Sequence, residues 1–199
     1  MLSQCNWRRA SSLVTAALFG ALITGCSSDA HAPMSTVSSF EVGRYLGQWH
    51  QVAAIPAWFQ SDCVANTAAD YAMGEDGLIE VVNSCETADG TRNKAEARAR
   101  FLNDPSDGRL EVTFVEVLGL WVWPAAGDYW IIGLDPEYRW AVVGQPSREF
   151  AWILARSRTI DAQTLGYIQH ILEREAYDTC DLLLTAPNQQ GRLCDVTIQ

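Results

Sequence analysis

Polar and apolar positions alternate along most of the middle of the chain. In residues 94–101 (KAEARARF), charged side chains occupy the even positions and apolar ones the odd positions. This period of two is typical of a β-strand with one face in water and the other against an apolar interior. The predicted inward set is Ala95, Ala97, Ala99 and Phe101.

Seven further runs of this kind predict strands at residues 48–55, 65–73, 78–85, 109–117, 129–134, 139–144 and 150–156. Short connections containing Gly, Pro and Asp separate most of them. The pattern predicts an all-β fold, an eight-stranded antiparallel up-and-down meander. An open sheet would leave two unpaired edges, so we expect it to close into a barrel, and eight strands suffice to enclose one small ligand.

One helix is predicted after the strands. Asp161 suits its N-cap, and apolar residues follow at helical spacing on a single face that we expect to pack outside the barrel. That face comprises Leu165, Ile168, Leu172 and Ala176. The apolar run 182–184 predicts a further short strand, paired in a hairpin with 192–198.

The first 25 residues have the features of a signal peptide. Arg8 and Arg9 form a basic start, and residues 12–23 are apolar but too short to cross a bilayer, which needs about 20 residues. Residues 23–26 (ITGC) resemble the lipobox of bacterial lipoproteins, which implies that Cys26 is lipidated and is the first mature residue; an ordinary secreted protein is the alternative. Ser27 resembles the sorting residue of lipoproteins held at the outer membrane, facing the periplasm.

Composition separates a tether from a folded domain. Residues 26–39 are mostly small and polar and predict a lipidated flexible tether, so the barrel domain, with its helix and a C-terminal extension, is expected to span residues 40–199.

Charge narrows the possible partners. The chain has 24 acidic and 14 basic residues and a formal charge of −10. Residues 1–25 contain two arginines and no acid, so their removal makes the charge −12. This balance argues against a nucleic-acid partner, and membrane attachment is expected to rest on acyl chains rather than on anionic lipid heads.

Four cysteines remain once Cys5 leaves with the signal peptide and Cys26 carries lipid. Cys63 and Cys85 bracket the turn at 74–77, while Cys180 and Cys194 bracket a turn at 187–188, so we predict the disulfides Cys63–Cys85 and Cys180–Cys194. Metal binding is the rival interpretation, and it is weak because no Cys-x-x-Cys occurs and the three histidines are scattered.

Three segments occur in a recognisable order: Gly47-Gln48-Trp49, residues 129–143 (YWIIGLDPEYRWAVV) and residues 150–156 (FAWILAR). Together they resemble the lipocalin family, most closely its bacterial outer-membrane lipoproteins. The resemblance spans about residues 40–185 and implies a barrel closed at one end, with Gly47 and Trp49 at that end and Arg156 across the Trp49 indole. His50, where relatives usually carry Tyr, and Ala97, where Gly is common, depart from the family pattern.

The resemblance implies a cavity for fatty acids or lysophospholipids, with binding rather than catalysis as the activity. Small residues on residues 94–101 leave room, and aromatic residues would line it, although the same aromatics could instead fill the barrel. The predicted contacts are Trp58, Phe59, Ala97, Ala99, Phe101, Phe114, Tyr129 and Trp152.

Trp58 and Phe59 lie in the first connection, which would form part of the open rim. They could act as a lid over ligand, a membrane-touching patch or half of a homodimer contact. A module that docks this rim onto another envelope protein is therefore the second functional hypothesis.

Catalysis is the third hypothesis, with His50 or a free Cys as its candidate residue. We predict no enzyme and no cofactor, because the chain has no nucleophile signature, no glycine-rich phosphate loop and no metal-ligand spacing.

Overall fold

A computed structural model describes residues 32–187 and 189–196. The predicted signal peptide, Cys26 and the last two residues of the predicted strand 192–198 lie outside these ranges. No helix among the described residues is long and apolar enough to span a membrane.

The described chain is mostly β-structure with two α-helices. The strands are β1 (Gly47–Ala54), β2 (Cys63–Met73), β3 (Ile79–Thr87), β4 (Arg92–Phe101), β5 (Arg109–Thr113), β6 (Glu116–Val117), β7 (Leu120–Trp121), β8 (Gly127–Leu134), β9 (Trp140–Gly144), β10 (Ala151–Ala155) and β11 (Leu183–Leu184). The helices are α1 (Val42–Tyr45) and α2 (Ala162–Arg174). Short 3-10 turns occupy Trp58–Gln60, Pro105–Asp107, Trp123–Ala125, Thr179–Asp181 and Leu193–Asp195.

Eight of these strands form a closed antiparallel barrel in the order β10-β9-β8-β5-β4-β3-β2-β1. Closure comes from β1 pairing with β10, where Ala53 lies opposite Ile153. The predicted all-β, eight-stranded up-and-down barrel is confirmed. At the closed end the chain enters β1; the open end carries the β1–β2, β3–β4, β5–β8 and β9–β10 connections.

Two predicted strands differ from the structure. The run 109–117 ends as a barrel strand at Thr113, whose hydroxyl donates to the Val122 carbonyl, and residues 116–121 form a separate hairpin of β6 and β7. Of residues 192–196, only Arg192 makes the expected antiparallel pairing, a single bridge to Leu183, because residues 193–195 make a 3-10 turn; β11 also pairs with β1.

Helix α2 packs on the outside of the barrel, as expected. Asp161 caps it by accepting from the Thr164 amide, and its apolar face is buried at Leu165, Ile168 and Leu172. Ala176, the fourth residue predicted for that face, lies beyond the helix end at a φ of 64° and is exposed.

The chain joins the fold earlier than the predicted start at residue 40. Met34 is buried in the core between α2 and the barrel, the Ser35 amide donates to Glu175, and the Val37 amide donates to the Ile131 carbonyl. Within the tether predicted for 26–39, residues 34–37 are therefore not free of the fold, because a buried side chain and two backbone hydrogen bonds hold them against it.

The structure contains both predicted disulfides. Cys63 is bonded to Cys85, with Cα atoms 5.5 Å apart, and Cys180 to Cys194, with Cα atoms 4.9 Å apart. The first ties the start of β2 to β3 and the second ties the chain before β11 to the C-terminal turn.

Asp135 organises the β8–β9 turn at the closed end. Its buried carboxylate accepts from the amides of Glu137 and Arg139 and from the Arg139 guanidinium at 2.8 and 2.9 Å. The Arg139 side chain is the main reason that the pKa of Asp135 is lowered. The resulting stabilisation is present above the ordinary Asp pKa of about 3.9 and is lost as pH falls through the lower pKa of the folded state.

Replacing Asp135 by Asn is expected to lower the free energy of unfolding by about 1–3 kcal/mol near neutral pH, because donors at the turn lose their charged acceptor. The difference between the two proteins should begin to shrink below about pH 4 and be lost as pH falls through the lowered pKa of Asp135 in the folded state, where the native carboxylate is protonated. Urea unfolding at neutral and acidic pH measures both effects.

Asp128→Asn is the matched control, because Asp128 is exposed on β8 and its carboxylate makes no hydrogen bond to the described residues. A stability difference for Asp135→Asn that is the same at both pH values would contradict the role of its charge.

Candidate ligand-binding site

The closed end of the barrel is sealed by Trp49. Its indole is fully buried, donates to the Tyr45 carbonyl at 2.7 Å, and lies under the guanidinium of Arg156, 3.9 Å from the ring centroid. Arg156 also donates to the carbonyls of Gln48 and Leu46 at 2.8 and 2.9 Å. One side chain thus holds the indole and the chain that enters β1, and together they form the floor of the barrel.

Gly47 lies between these groups at a φ of 90°, a conformation that L side chains rarely adopt. A Cβ there would stand 3.5 Å from Arg156 Nη1, an ordinary contact distance. The positive φ is therefore what makes the position favour glycine.

Three tyrosine hydroxyls meet above the floor. Tyr129 Oη lies 2.7 Å from Tyr45 Oη and 2.8 Å from Tyr71 Oη, so each buried hydroxyl has a partner. Burial raises the pKa of Tyr71 to about 12 and raises the pKa values of Tyr45 and Tyr129 well above the ordinary value. The network is therefore neutral at physiological pH, and it gives the interior a polar point within an apolar wall.

The predicted contacts on β4 fall in the packed lower half of the barrel. Ala97 and Ala99 are 0% and 1% exposed, within a cluster that includes Trp49, Tyr71 and Ile131. The expectation that these alanines border open space is not met, because large side chains from other strands cover them. Phe101 packs against Phe40 near the closed end, with ring centroids 6.1 Å apart.

Exposure of the inward positions rises towards the open end. On β4, Ala95 and Asn93 are exposed, although they continue the inward face of the buried Ala97. Inward positions on β5 and β10 change in the same way: Val112 is less buried than Leu110, and Trp152 less than Leu154. The interior is therefore a cup with a filled floor and an open mouth.

A row of aromatic rings runs from the rim into the mouth. Ring centroids are separated by 5.5 Å from Trp58 to Phe59, 5.4 Å from Phe59 to Phe150 and 6.0 Å from Phe150 to Trp152. Trp58 is 82% exposed, whereas Trp152 packs against the interior cluster. Phe150 was not among the contacts predicted from the sequence, although its spacing of two from Trp152 puts both on one face of the chain.

The last two predicted contacts lie at different depths of the barrel. Tyr129 belongs to the tyrosine network, with its ring partly buried. Phe114 follows the end of β5 and is 48% exposed at the rim.

A cleft of about 270 Å³ lies beside the mouth, between the second half of β1 and the first half of β2. The two strands pair only up to His50 and Ala68, since β2 bulges near Asn66 and β11 takes over the edge of β1. The lining includes Ala54, Ile55, Pro56, Cys63, Ala65 and Leu183. Sequence periodicity did not reveal this cleft, because it arises where the β1–β2 pairing ends and the β1–β11 pairing begins.

His50, the candidate for catalysis, follows Trp49 on β1 and faces outward. It borders a small pocket with Asn66 and Arg158 on the outer wall. Partial burial, reinforced by Arg158, lowers the pKa of His50. Among residues 32–187 and 189–196, no group of three or more His, Cys, Asp or Glu side chains is placed to hold a metal ion.

Comparisons with known proteins agree with this architecture. A family model described as a lipocalin-like domain matches residues 40–187. The outer membrane lipoprotein Blc of Citrobacter freundii is 34% identical over 172 residues, covering 85% of this chain and 91% of that protein. Temperature-induced lipocalin-1 of Arabidopsis thaliana is 36% identical over 151 residues, covering 75% of this chain and 80% of that protein.

Among solved structures, insecticyanin of the tobacco hornworm Manduca sexta matches with a TM-score of 0.62 at 18% identity, covering 79% of this chain and 86% of that chain. A closed β-barrel with a sealed floor and an open mouth is the architecture of a binding protein for small molecules. The chain belongs to the lipocalin family, whose members generally bind small hydrophobic ligands and are typically carriers rather than enzymes.

Arg156→Lys is expected to lower the free energy of unfolding by about 1–3 kcal/mol, because an ammonium cannot reproduce the planar set of donors that faces several carbonyls and the indole. Arg158→Lys is the control: Arg158 is exposed and donates to Asn66, so its replacement should cost less than about 0.5 kcal/mol. Urea unfolding of both variants makes the comparison, and equal losses would contradict the sealing role.

Proposed function

We propose that this lipocalin binds flexible apolar molecules, such as fatty acids or lysophospholipids, in the mouth of its barrel. The observation that carries the proposal is the cup itself, in which inward positions of β4 are exposed above the fully covered Ala97. Membership of the lipocalin family, whose members generally bind small hydrophobic ligands, supports the same ligand class.

The dimensions of the cup favour a ligand that enters end first. From Asn93 to Ala97 the strand advances four residues, or about 13 Å. An acyl chain of this length gains about 0.8 kcal/mol for each methylene that leaves water. The aromatic row from Trp58 to Trp152 offers further apolar surface along the path, while Asn83 and Asn93 provide polar contacts for a headgroup at the mouth.

Direct evidence for this function would be a bound acyl lipid. Denaturing extraction of purified protein followed by lipid mass spectrometry, and titration with a fluorescent fatty acid, should find about one ligand for each barrel. The absence of saturable binding would overturn the proposal.

The location of the ligand is tested by two tryptophan substitutions on β4. Ala95→Trp places an indole in the mouth and is expected to weaken fatty-acid binding about tenfold or more, a change of about 1.4 kcal/mol. Glu96→Trp, the control, places the same side chain on the outer face of the neighbouring position and should leave the affinity within about twofold. Equal affinities for the two variants would contradict a ligand site in the mouth.

We also propose that the protein is a lipoprotein attached through Cys26 to the outer membrane and facing the periplasm. The ITGC segment and the named outer membrane lipoproteins among the relatives support this location.

Cys26→Ser tests the attachment. The native protein should fractionate with outer membranes, and its N-terminal peptide should carry acyl chains in mass spectrometry, whereas Cys26→Ser should lack both properties. Identical fractionation of the two proteins would contradict attachment through Cys26.

A further inference from the structure

Large apolar side chains are exposed mainly at one end of the barrel. Of twelve such residues among the described ranges, eight lie in or beside the open-end connections: Trp58, Phe59, Val64, Phe114, Val115, Val117, Leu118 and Leu120. Leu118 is 98% exposed and Leu120 is 72% exposed, so neither side chain contributes to the core. Apolar surface concentrated in this way marks an interaction site rather than scattered surface variation.

The β6–β7 hairpin presents part of this surface from a fixed base. Arg98 lies 5.0 Å from the Trp121 ring centroid and Arg100 lies 4.0 Å from that of Trp123, and both arginines project from the outer face of β4. The hairpin is therefore held against the barrel wall at its base, while residues 117–120 at its tip are exposed.

The conformation of the tip is itself unusual. Leu118 adopts a φ of 53° beside Gly119 at 80°, in a two-residue turn that favours Asn, Asp or Gly. A leucine in this region is strained and has no packing that compensates, and such residues concentrate at functional sites. The position therefore combines a conformational cost with a bulky apolar side chain that only an external surface can bury.

The N-terminal segment indicates what that surface is. Ala32 is anchored at the open end, because its carbonyl accepts from Arg148 Nη2 at 2.9 Å in the β9–β10 connection. Five residues lie between Cys26 and Ala32, so the six Cα–Cα steps give a covalent reach of at most about 20 Å. If Cys26 carries lipid, as proposed above, the bilayer lies within that reach of the open end.

The charges at the same end favour a zwitterionic surface over an anionic one. The open-end connections and adjoining strand ends carry the acidic residues Asp62, Asp89, Glu116, Asp128 and Glu149, against Arg92, Lys94 and Arg148. This acidic excess weakens attraction to anionic headgroups, so docking must come from the apolar side chains.

We infer that the open end docks directly on a zwitterionic phospholipid bilayer, with the tip of the β6–β7 hairpin and Trp58 entering the interfacial region. Tryptophan favours this region of a bilayer, and the aromatic row from Trp58 to Trp152 then connects the lipid surface to the barrel mouth. The inference rests on the proposed anchor for its orientation and deepens the proposed function by naming the source from which ligand enters.

The test uses residues 26–199 with Cys26→Ser, which retain the whole compact unit from residue 31 onward and cannot be acylated at that position. Flotation with phosphatidylcholine vesicles measures binding to a neutral lipid surface. The double variant Leu118→Ser/Leu120→Ser should reduce the partition coefficient about tenfold. Adding phosphatidylglycerol to the vesicles should weaken binding of the parent protein.

Met73→Ser/Leu102→Ser is the matched control, since these residues are 46% and 39% exposed near the closed end. Its partition coefficient should remain within about twofold of the parent value. Equal losses for both double variants, or no vesicle binding by the parent, would overturn the inference. Loss of a dimer in ultracentrifugation, without a change in vesicle binding, would instead assign the tip to a second copy of the chain and would also overturn it.

Fatty-acid titration without vesicles separates this inference from the proposed function. The Leu118→Ser/Leu120→Ser variant should retain the parent affinity, because the tip lies outside the cup. A parent protein that binds vesicles through the tip but takes up no fatty acid would refute the proposed function and leave docking intact, whereas the reverse result would refute docking alone.

Discussion

The contact between Arg156 and Trp49 is the interaction on which the barrel's polarity depends. Arg156 follows β10 and Trp49 lies on β1, so the contact spans the seam where the first and last barrel strands close the sheet. Because the guanidinium also binds backbone carbonyls, it fixes the entering chain as well as the indole. One end of the barrel is thereby sealed, and any ligand must use the other.

Above that seal, the barrel interior has a packed lower half and an open upper half. The lower half is packed with aromatic and branched side chains and includes the network of Tyr45, Tyr71 and Tyr129. The upper half leaves inward positions exposed. A barrel filled throughout would be more stable but would have no site, and a barrel empty throughout would lose the packing that holds its strands together. The observed division provides a rigid floor beneath an accessible mouth.

The open end differs from the rest of an acidic surface because its apolar side chains have no internal partner. The hairpin base is held to the wall through Arg98 and Arg100, whereas the strained tip at Leu118 makes no contribution to the core. The Ala32 carbonyl, which accepts from Arg148, lies at the same end. The ligand entry, membrane attachment and surface docking that we propose all fall on this side of the molecule.

The sequence by itself determined the strands, the closed barrel, the outer helix and both disulfide pairings, because alternation, helical spacing and turn residues are local signals. It identified the inward face of β4 but not the depth at which that face becomes exposed. Only the tertiary structure decided that Ala97 is covered and Ala95 is not, that Phe150 links two predicted aromatics, and that residues 34–37 pack on the barrel. Each of these outcomes depends on side chains or backbone groups distant in sequence, and strand periodicity carries no information about what lies across the barrel.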